Sequence, residues 1–209
     1  TVVVDDDIDV TDLGHVVWTR DLVREVPRDL VRFHLALTAP EHARTNFSRA
    51  ALEKITGERL VGPWNRLGAL LGKAVAELGL EGQELPVSPE ANARRAAMAE
   101  RFEAGYRLTG YSLSRTADLI PLHTERLLDR AEALSAGPAL ADRTASAAEL
   151  GDLFAEVRTL IAAASPILID LAERARAEGG FDGTFAVAPE ERTTTPFIVP
   201  ALGRTTAES

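Results

Sequence analysis

The sequence predicts a mainly α protein, folded as an antiparallel helical bundle. Three observations carry that expectation. The chain is rich in Ala, Leu, Arg and Glu, aromatic residues make up only 5% of it, and from Thr19 onward apolar residues recur at helical spacing between well-marked breaks. Its 209 residues, 45% of them hydrophobic, suffice for a substantial core in one or two domains.

The elements follow in order. Val2 to Val4 form a short β-branched run, and five aspartates at positions 5 to 12 make a polar turn after it. Thr19 to Leu37 carries helical spacing, and Pro27 opens a second helix at its first turn, where a missing N–H costs nothing. The segment TAPEHARTNFS (38–48) is a connector. Ser48 is the expected N-cap of a helix through Lys54, and another helix runs from about Val61 to Leu78, interrupted or kinked near its start by Gly62-Pro63. Residues 78–90 form a loop. Ser88-Pro89 then supplies an N-cap followed by Pro at the first helical position, opening a helical stretch over 89–135 with breaks expected at Gly110 and Pro121. After a connector at 135–144, Ser146 and Glu149 make a capping box ahead of a helix to about Ala164. Ser165-Pro166 starts or kinks into a final helix ending at Gly179-Gly180. The remainder (181–209) lacks helical periodicity and is expected to lie as an extended strap across the body.

Composition excludes several function classes. No stretch approaches the roughly 18 consecutive apolar residues of a membrane span, and no signal-peptide pattern appears, so a cytoplasmic protein without membrane association is expected. With no cysteine there is neither a disulfide framework nor thiolate chemistry. A net charge of −9 opposes nucleic-acid binding unless a local basic face overcomes it.

Candidate chemistry is sparse. A calcium loop counted from Asp5 needs Gly at its sixth place and Glu at its twelfth, but Val10 and Val16 stand there, and no metal site is expected. The histidines at 15, 34, 42 and 123 show no ligand spacing. His34, within VRFHLAL, is expected half-buried with its polar atoms satisfied. No nucleophile elbow or phosphate-cradling glycine loop is present. Arg20, Arg24, Arg28 and Arg32 recur every four residues, so they are candidates for phosphate or RNA contact. The competing reading, a solvated face paired with Asp21, Glu25 and Asp29, weighs more, and Pro27 breaks the simple helix. Trp18 and Trp64 are expected as packing anchors rather than platforms for bases. No certain catalytic residue emerges.

The opening TVVVDDDIDVTDLGHVV nevertheless fits a known frame. It resembles the methionyl-tRNA synthetases, class I aminoacyl-tRNA synthetases in which a strand leads into a K-M-S-K-S loop, then x-G-N and a hydrophobic pair. Thr1 to Val4 stand for the strand. Ile8, Asp9, Val10, Thr11 and Asp12 stand for the signature, and Leu13, Gly14, His15, Val16 and Val17 for the x-G-N and hydrophobic pair after it. Downstream, VPRDLVRFHLALTAPE (26–41), TNFS (45–48) and SPILIDLAERARAEGG (165–180) resemble, in order, that family's stem-contact helix, its entry into the helical domain and its closing helix. The likeness spans roughly residues 1 to 180. It implies the end of a catalytic domain with a degenerate ATP loop plus a stem-contact-like segment (1–47), an anticodon-binding-like bundle (48–180) and the strap (181–209).

The departures point away from ordinary tRNA charging. The family's loop lysines stabilise ATP phosphates during adenylate formation; here Ile8 and Thr11 take their places, and Asp9 and Asp12 add negative charge. The family reads the anticodon with an Asn-rich helix and a Pro-Trp pair. The first region reads ERLVGPWNRLGALL (58–71) here, and the second, LLDRAEALSAGPAL (127–140), has no Trp. The resemblance therefore implies the C-terminal part of a divergent ligase, completed by an N-terminal catalytic domain outside this sequence. That parent would use ATP with Mg to activate an amino acid and transfer it to a non-tRNA acceptor, as relatives in natural-product pathways do when forming amides, esters or, with a cupin domain, hydrazines. Two alternatives stay open: a genuine methionyl-tRNA synthetase whose bundle binds tRNA, a partner the acidic balance argues against, and a non-catalytic interaction module.

Overall fold

A computed structural model describes residues 19–39, 41, 47–136, 142–178 and 190–203. Within them the chain is mainly α, an antiparallel helical bundle with a two-stranded ribbon at one side. The expected strand at Val2 to Val4, Trp18, His15, His42 and Gly179-Gly180 lie outside the described residues.

Helices α1 (Thr19–Glu25) and α2 (Arg28–Leu37) are separated at Pro27, as its fixed φ and missing donor require. Ser48 caps α3 (Arg49–Thr56), its hydroxyl accepting from the Ala51 N–H at 3.3 Å. The interruption expected at Gly62-Pro63 takes another form. A π-helical turn (Gly57–Val61) joins α3 to α4 (Gly62–Leu78), and the rod continues without a gap. Pro63 stands directly after the π-turn, where the spacing of the backbone hydrogen bonds changes. Gly79, in the left-handed region at φ 60°, ends α4.

Ser88 caps α5 (Pro89–Tyr106) as predicted, accepting from the Ala91 N–H at 3.0 Å. The stretch does break before Gly110, but α6 (Leu113–Ala136) runs straight through Pro121. One lost hydrogen bond inside a helix is tolerated here because Pro121 is buried and α6 packs against α2, α4 and α7. Helix α7 (Arg143–Ala164) starts one turn earlier than the Ser146–Glu149 pair suggests. The Asp142 carboxylate caps it, accepting from the N–H groups of Thr144 and Ala145 at 3.0 and 3.1 Å, and Ser146 is buried inside the first turn. An ionised acceptor holding two orphan donors outcompetes a hydroxyl. A short turn then leads to α8 (Ile169–Ala177).

The core is a single large cluster centred on α7, which is buried along nearly its whole length. Helix α5 packs along α7 and α4 along α6, while α6 also meets α2 and α7. Trp64, Phe33, Phe102 and Phe154 are its largest fully buried side chains. Strand β1 (Leu85–Pro86) pairs antiparallel with β2 (Thr193–Thr194), in the register Leu85 with Thr194 and Pro86 with Thr193. The ribbon lies tight on α7 at Gly151, where any Cβ would collide with the Pro86 carbonyl. Among the described residues no helix is long and apolar enough to cross a membrane.

Candidate functional site

The predicted ATP-loop residues Ile8, Asp9, Val10, Thr11, Asp12, Gly14 and His15 lie outside the described residues. The arginine row is divided between two helices, Arg20 and Arg24 on α1, Arg28 and Arg32 on α2. The α2 pair is exposed but takes its partners from within the chain. Arg28 donates to both carboxylate oxygens of Asp170, at 3.2 and 2.6 Å, and Arg32 to the carbonyls of Pro166 and Ile167, at 2.7 and 3.1 Å. Between them Asp29, 2% exposed, accepts from the N–H groups of Asp170 and Leu171 at 3.0 and 2.8 Å and so caps α8 from a distant helix. Burial pushes the Asp29 carboxyl above its usual range, against the pull of those two backbone bonds. Together these contacts clamp α2 to α8 and the turn before it. Beside them an open groove of about 790 Å³ runs between Pro27, Arg174 and Gly203 of the strap.

His34 is fully buried rather than half-buried, at 3% exposure, and its Nδ1 has no hydrogen-bond partner among the described residues. Its ring meets the Phe47 ring edge-on at 5.6 Å, so packing, not polar pairing, places it there.

Trp64 is the packing anchor expected, 1% exposed, and it is sealed from outside. Its Nε1 donates to the Pro200 carbonyl at 2.9 Å. Next to it the Asn65 amide pairs with the backbone of Leu202 in both directions, Nδ2 donating to the carbonyl and Oδ1 accepting from the N–H, each at 2.7 Å. Arg66 in turn reaches Glu132 of α6 at 2.8 Å. The covering segment, 190–203, is the described part of the strap. It is tied to α5, where Asn92 exchanges hydrogen bonds with the Glu191 backbone at 2.8 and 3.2 Å and the buried Arg95 meets the Glu191 carboxylate at 2.8 Å. It then pairs as β2, sets Phe197 edge-on to Phe154 at 5.6 Å and lays Val199 on Gly68 of α4.

A second polar centre was not anticipated from the sequence. Glu156 of α7, 4% exposed, offers a single oxygen to Arg94 of α5, at 2.8 and 2.9 Å, and to Arg130 of α6, at 2.6 Å. Arg130 also binds Glu149 at 2.8 Å, and Asp152 accepts from the Ser88 N–H and hydroxyl at 2.7 and 2.6 Å. This network bolts three helices together at the floor of a cleft of about 520 Å³ between them. His123 lines that cleft, 7% exposed, tilted against Phe102 at 6.1 Å, with Nε2 unpaired among the described residues. Burial, then the nearby Arg126 and Arg101, push its pKa down to about 4, so the ring is neutral at physiological pH. The signal for this centre was present as spacing: Glu149, Asp152 and Glu156 lie three and four apart, and Arg126 and Arg130 four apart. What spacing alone lacked was which helices face one another.

No family model matches the chain, and no curated protein matches it. Among solved structures, the apo, free-state crystal structure of methionyl-tRNA synthetase from Mycobacterium tuberculosis superposes over 89% of this chain with a TM-score of 0.66, at 17% sequence identity. The fold is one found in that enzyme. This chain spans 41% of that protein's length. At such low identity the likeness carries the helical architecture alone and leaves chemistry to the residues themselves.

Proposed function

We propose that this chain is the helical C-terminal part of a divergent methionyl-tRNA-synthetase-like ligase, whose parent activates an amino acid with ATP and Mg and passes it to an acceptor other than tRNA. The divisions 1–47, 48–180 and 181–209 belong to this proposal. The bundle serves as scaffold: the α2–α8 clamp holds the end of the catalytic domain, and the helices behind it close over a small acceptor or dock a partner domain.

One observation carries the reading. The region that the resemblance sets opposite the family's anticodon-reading helix, Trp64-Asn65-Arg66, is occupied by contacts within the chain. Both polar atoms of the Asn65 side chain are already bonded to Leu202. Opening that site to RNA would require the strap to leave, exposing Trp64 and breaking both pairs. The clamp gives the same indication, because Arg28 and Arg32 are spent on Asp170, Pro166 and Ile167, and the acidic balance of −9 adds to it.

The test is amino-acid-dependent ATP–pyrophosphate exchange on the full-length gene product, across a panel of amino acids, with and without tRNA. Exchange without tRNA charging supports the proposal. Methionine-dependent exchange with charging of tRNA sinks it in favour of an ordinary synthetase, and no exchange with any amino acid leaves an interaction module.

A further inference from the structure

The cleft between α5, α6 and α7 has features that the scaffold reading does not use. Its volume of about 520 Å³ falls in the range of small-molecule sites. Four arginines line it, Arg94, Arg101, Arg126 and Arg130, against two acids, Asp129 and Glu156. That is an excess of two positive charges on a chain of net charge −9. Arg94 is paired with Glu156 and Asp152, and Arg130 with Glu156 and Glu149, so these two are neutralised within the network. Arg101 and Arg126 make no ion pair among the described residues, yet both are close enough to His123 to depress its protonation. His123 is the second, independent sign. A ring nitrogen buried without a partner normally costs stability unless something pairs with it, and this one borders a cavity walled on its other side by Met98 and Leu127.

We propose that this cleft binds a small organic phosphate monoester, its phosphoryl group between Arg101 and Arg126, its organic body against Met98 and Leu127, and the His123 imidazole donating from Nε2 to a phosphate oxygen. Two unpaired guanidiniums match the dianion of a monoester, whereas a carboxylate or a backbone phosphodiester brings one charge. The apolar wall favours an organic ester over the bare ion. The site stands on its own residues and does not depend on the parent protein forming an adenylate.

Binding has a spectroscopic signature. The charged groups facing His123 are Arg101 on α5, Arg126 on α6 and Glu156 on α7. Burial is the larger cause of the low His123 pKa, and an anion seated between the two arginines offsets only their repulsion of the imidazolium, so the titration midpoint is expected to rise part of the way from about 4. The experiment follows the histidine C2–H resonances of the full chain by NMR, with His123→Gln assigning the signal, during titration with phenyl phosphate, inorganic phosphate and an RNA oligonucleotide lacking terminal phosphates. Phenyl phosphate is expected to bind saturably, to raise the His123 midpoint and to bind more tightly than inorganic phosphate. Arg101→Ala and Arg126→Ala should each weaken it about tenfold or more, because each deletes a charge-assisted contact. Both side chains are exposed, so these variants fold, and Arg101→Lys should recover part of the loss. Glu90→Ala, exposed on the same helix outside the cleft, should bind as the parent does. Absence of a saturable shift, affinity unchanged in both alanine variants, inorganic phosphate binding as tightly as its phenyl ester, or tighter binding of the RNA at His123 would each overturn the proposal.

Discussion

Replacing Asn65 with Ala tests whether the strap is held where it covers Trp64. The substitution deletes two hydrogen bonds of 2.7 Å and leaves the N–H and carbonyl of Leu202, a residue 5% exposed, without their partners. Each neutral bond contributes a net of about 0.5–1.5 kcal/mol, so the pair contributes about 1–3 kcal/mol. In a chain of this size about 2 kcal/mol lowers the thermal midpoint by about 4–8 °C. The measurement is a thermal melt by circular dichroism together with amide hydrogen exchange at Leu202, which should lose protection before the helices do. Asn65→Asp sharpens the test. It keeps an acceptor for the Leu202 N–H but turns a carboxylate toward the Leu202 carbonyl, so it should be at least as damaging at neutral pH and milder in acid, where the carboxyl regains a donor. A midpoint within about 1 °C of the parent protein, with Leu202 equally protected, would refute the clamp and with it the reason for regarding Trp64 and Asn65 as closed to RNA.

Other outcomes rest on the same structure. Burial lowers the pKa of both His34 and His123, so each favours the folded state least in acid; for His123, down near 4, the contribution is complete above about pH 6.5 and is lost as pH falls from there toward 4, at most roughly 3 kcal/mol. Urea unfolding at pH 7 and pH 5 should register the difference, and His123→Gln should flatten it. Glu41 titrates in a lower window. The Ser114 N–H and the Ser112 hydroxyl hold its carboxyl near 2, so its contribution is present above about 4.5 and disappears below, a loss that Glu41→Gln should remove from the acid limb of the same curves. Asp29→Ala should cost about 1–2 kcal/mol in urea unfolding by stripping the cap from α8, with Asp29→Asn milder because one acceptor remains. Gly151→Ala forces a methyl into the Pro86 carbonyl and should cost about 1–3 kcal/mol, with loss of amide protection at Val87, whose N–H donates to Arg192 beside the displaced ribbon.

The bundle was legible because its helices are built by local rules. Ser48 and Ser88-Pro89 announced α3 and α5, and Pro27 separated α1 from α2, since caps and proline geometry act within a few residues. The misplacements came where something stronger competed locally, as when the Asp142 carboxylate took the start of α7 from Ser146, or where packing overrode a breaker, as at Pro121. The ribbon was invisible for a different reason. Two residues pairing with two others more than a hundred positions away carry no periodicity to find. The α2–α8 clamp and the cleft share that difficulty. The regular recurrence of Arg28 and Arg32 suggested a face turned to phosphate, but their partners at 166 to 170 become neighbours only when the chain folds back. Likewise Arg94, Arg130 and Glu156 each sit on an ordinary helical face until three helices converge.

The π-turn at Gly57–Val61 sets the phase of the longest rod in the molecule. The buried positions Leu52, Thr56, Leu60 and Trp64 fall at strict intervals of four, and in an unbroken α-helix such a series slips by about 40° at each step. By Trp64 it would have wandered about 120° around the axis, turning the indole out of the core. A turn that winds more slowly gives back part of that slip, and Gly62 permits it, since even a methyl there would stand 3.1 Å from the Gly57 carbonyl. The short bulge thus works as a vernier between two helical scales: α3 keeps the angular setting that suits α2, and α4 the one that suits α6 and the strap. Deleting one residue within it would leave the helix intact and rotate everything on one side of it relative to everything on the other.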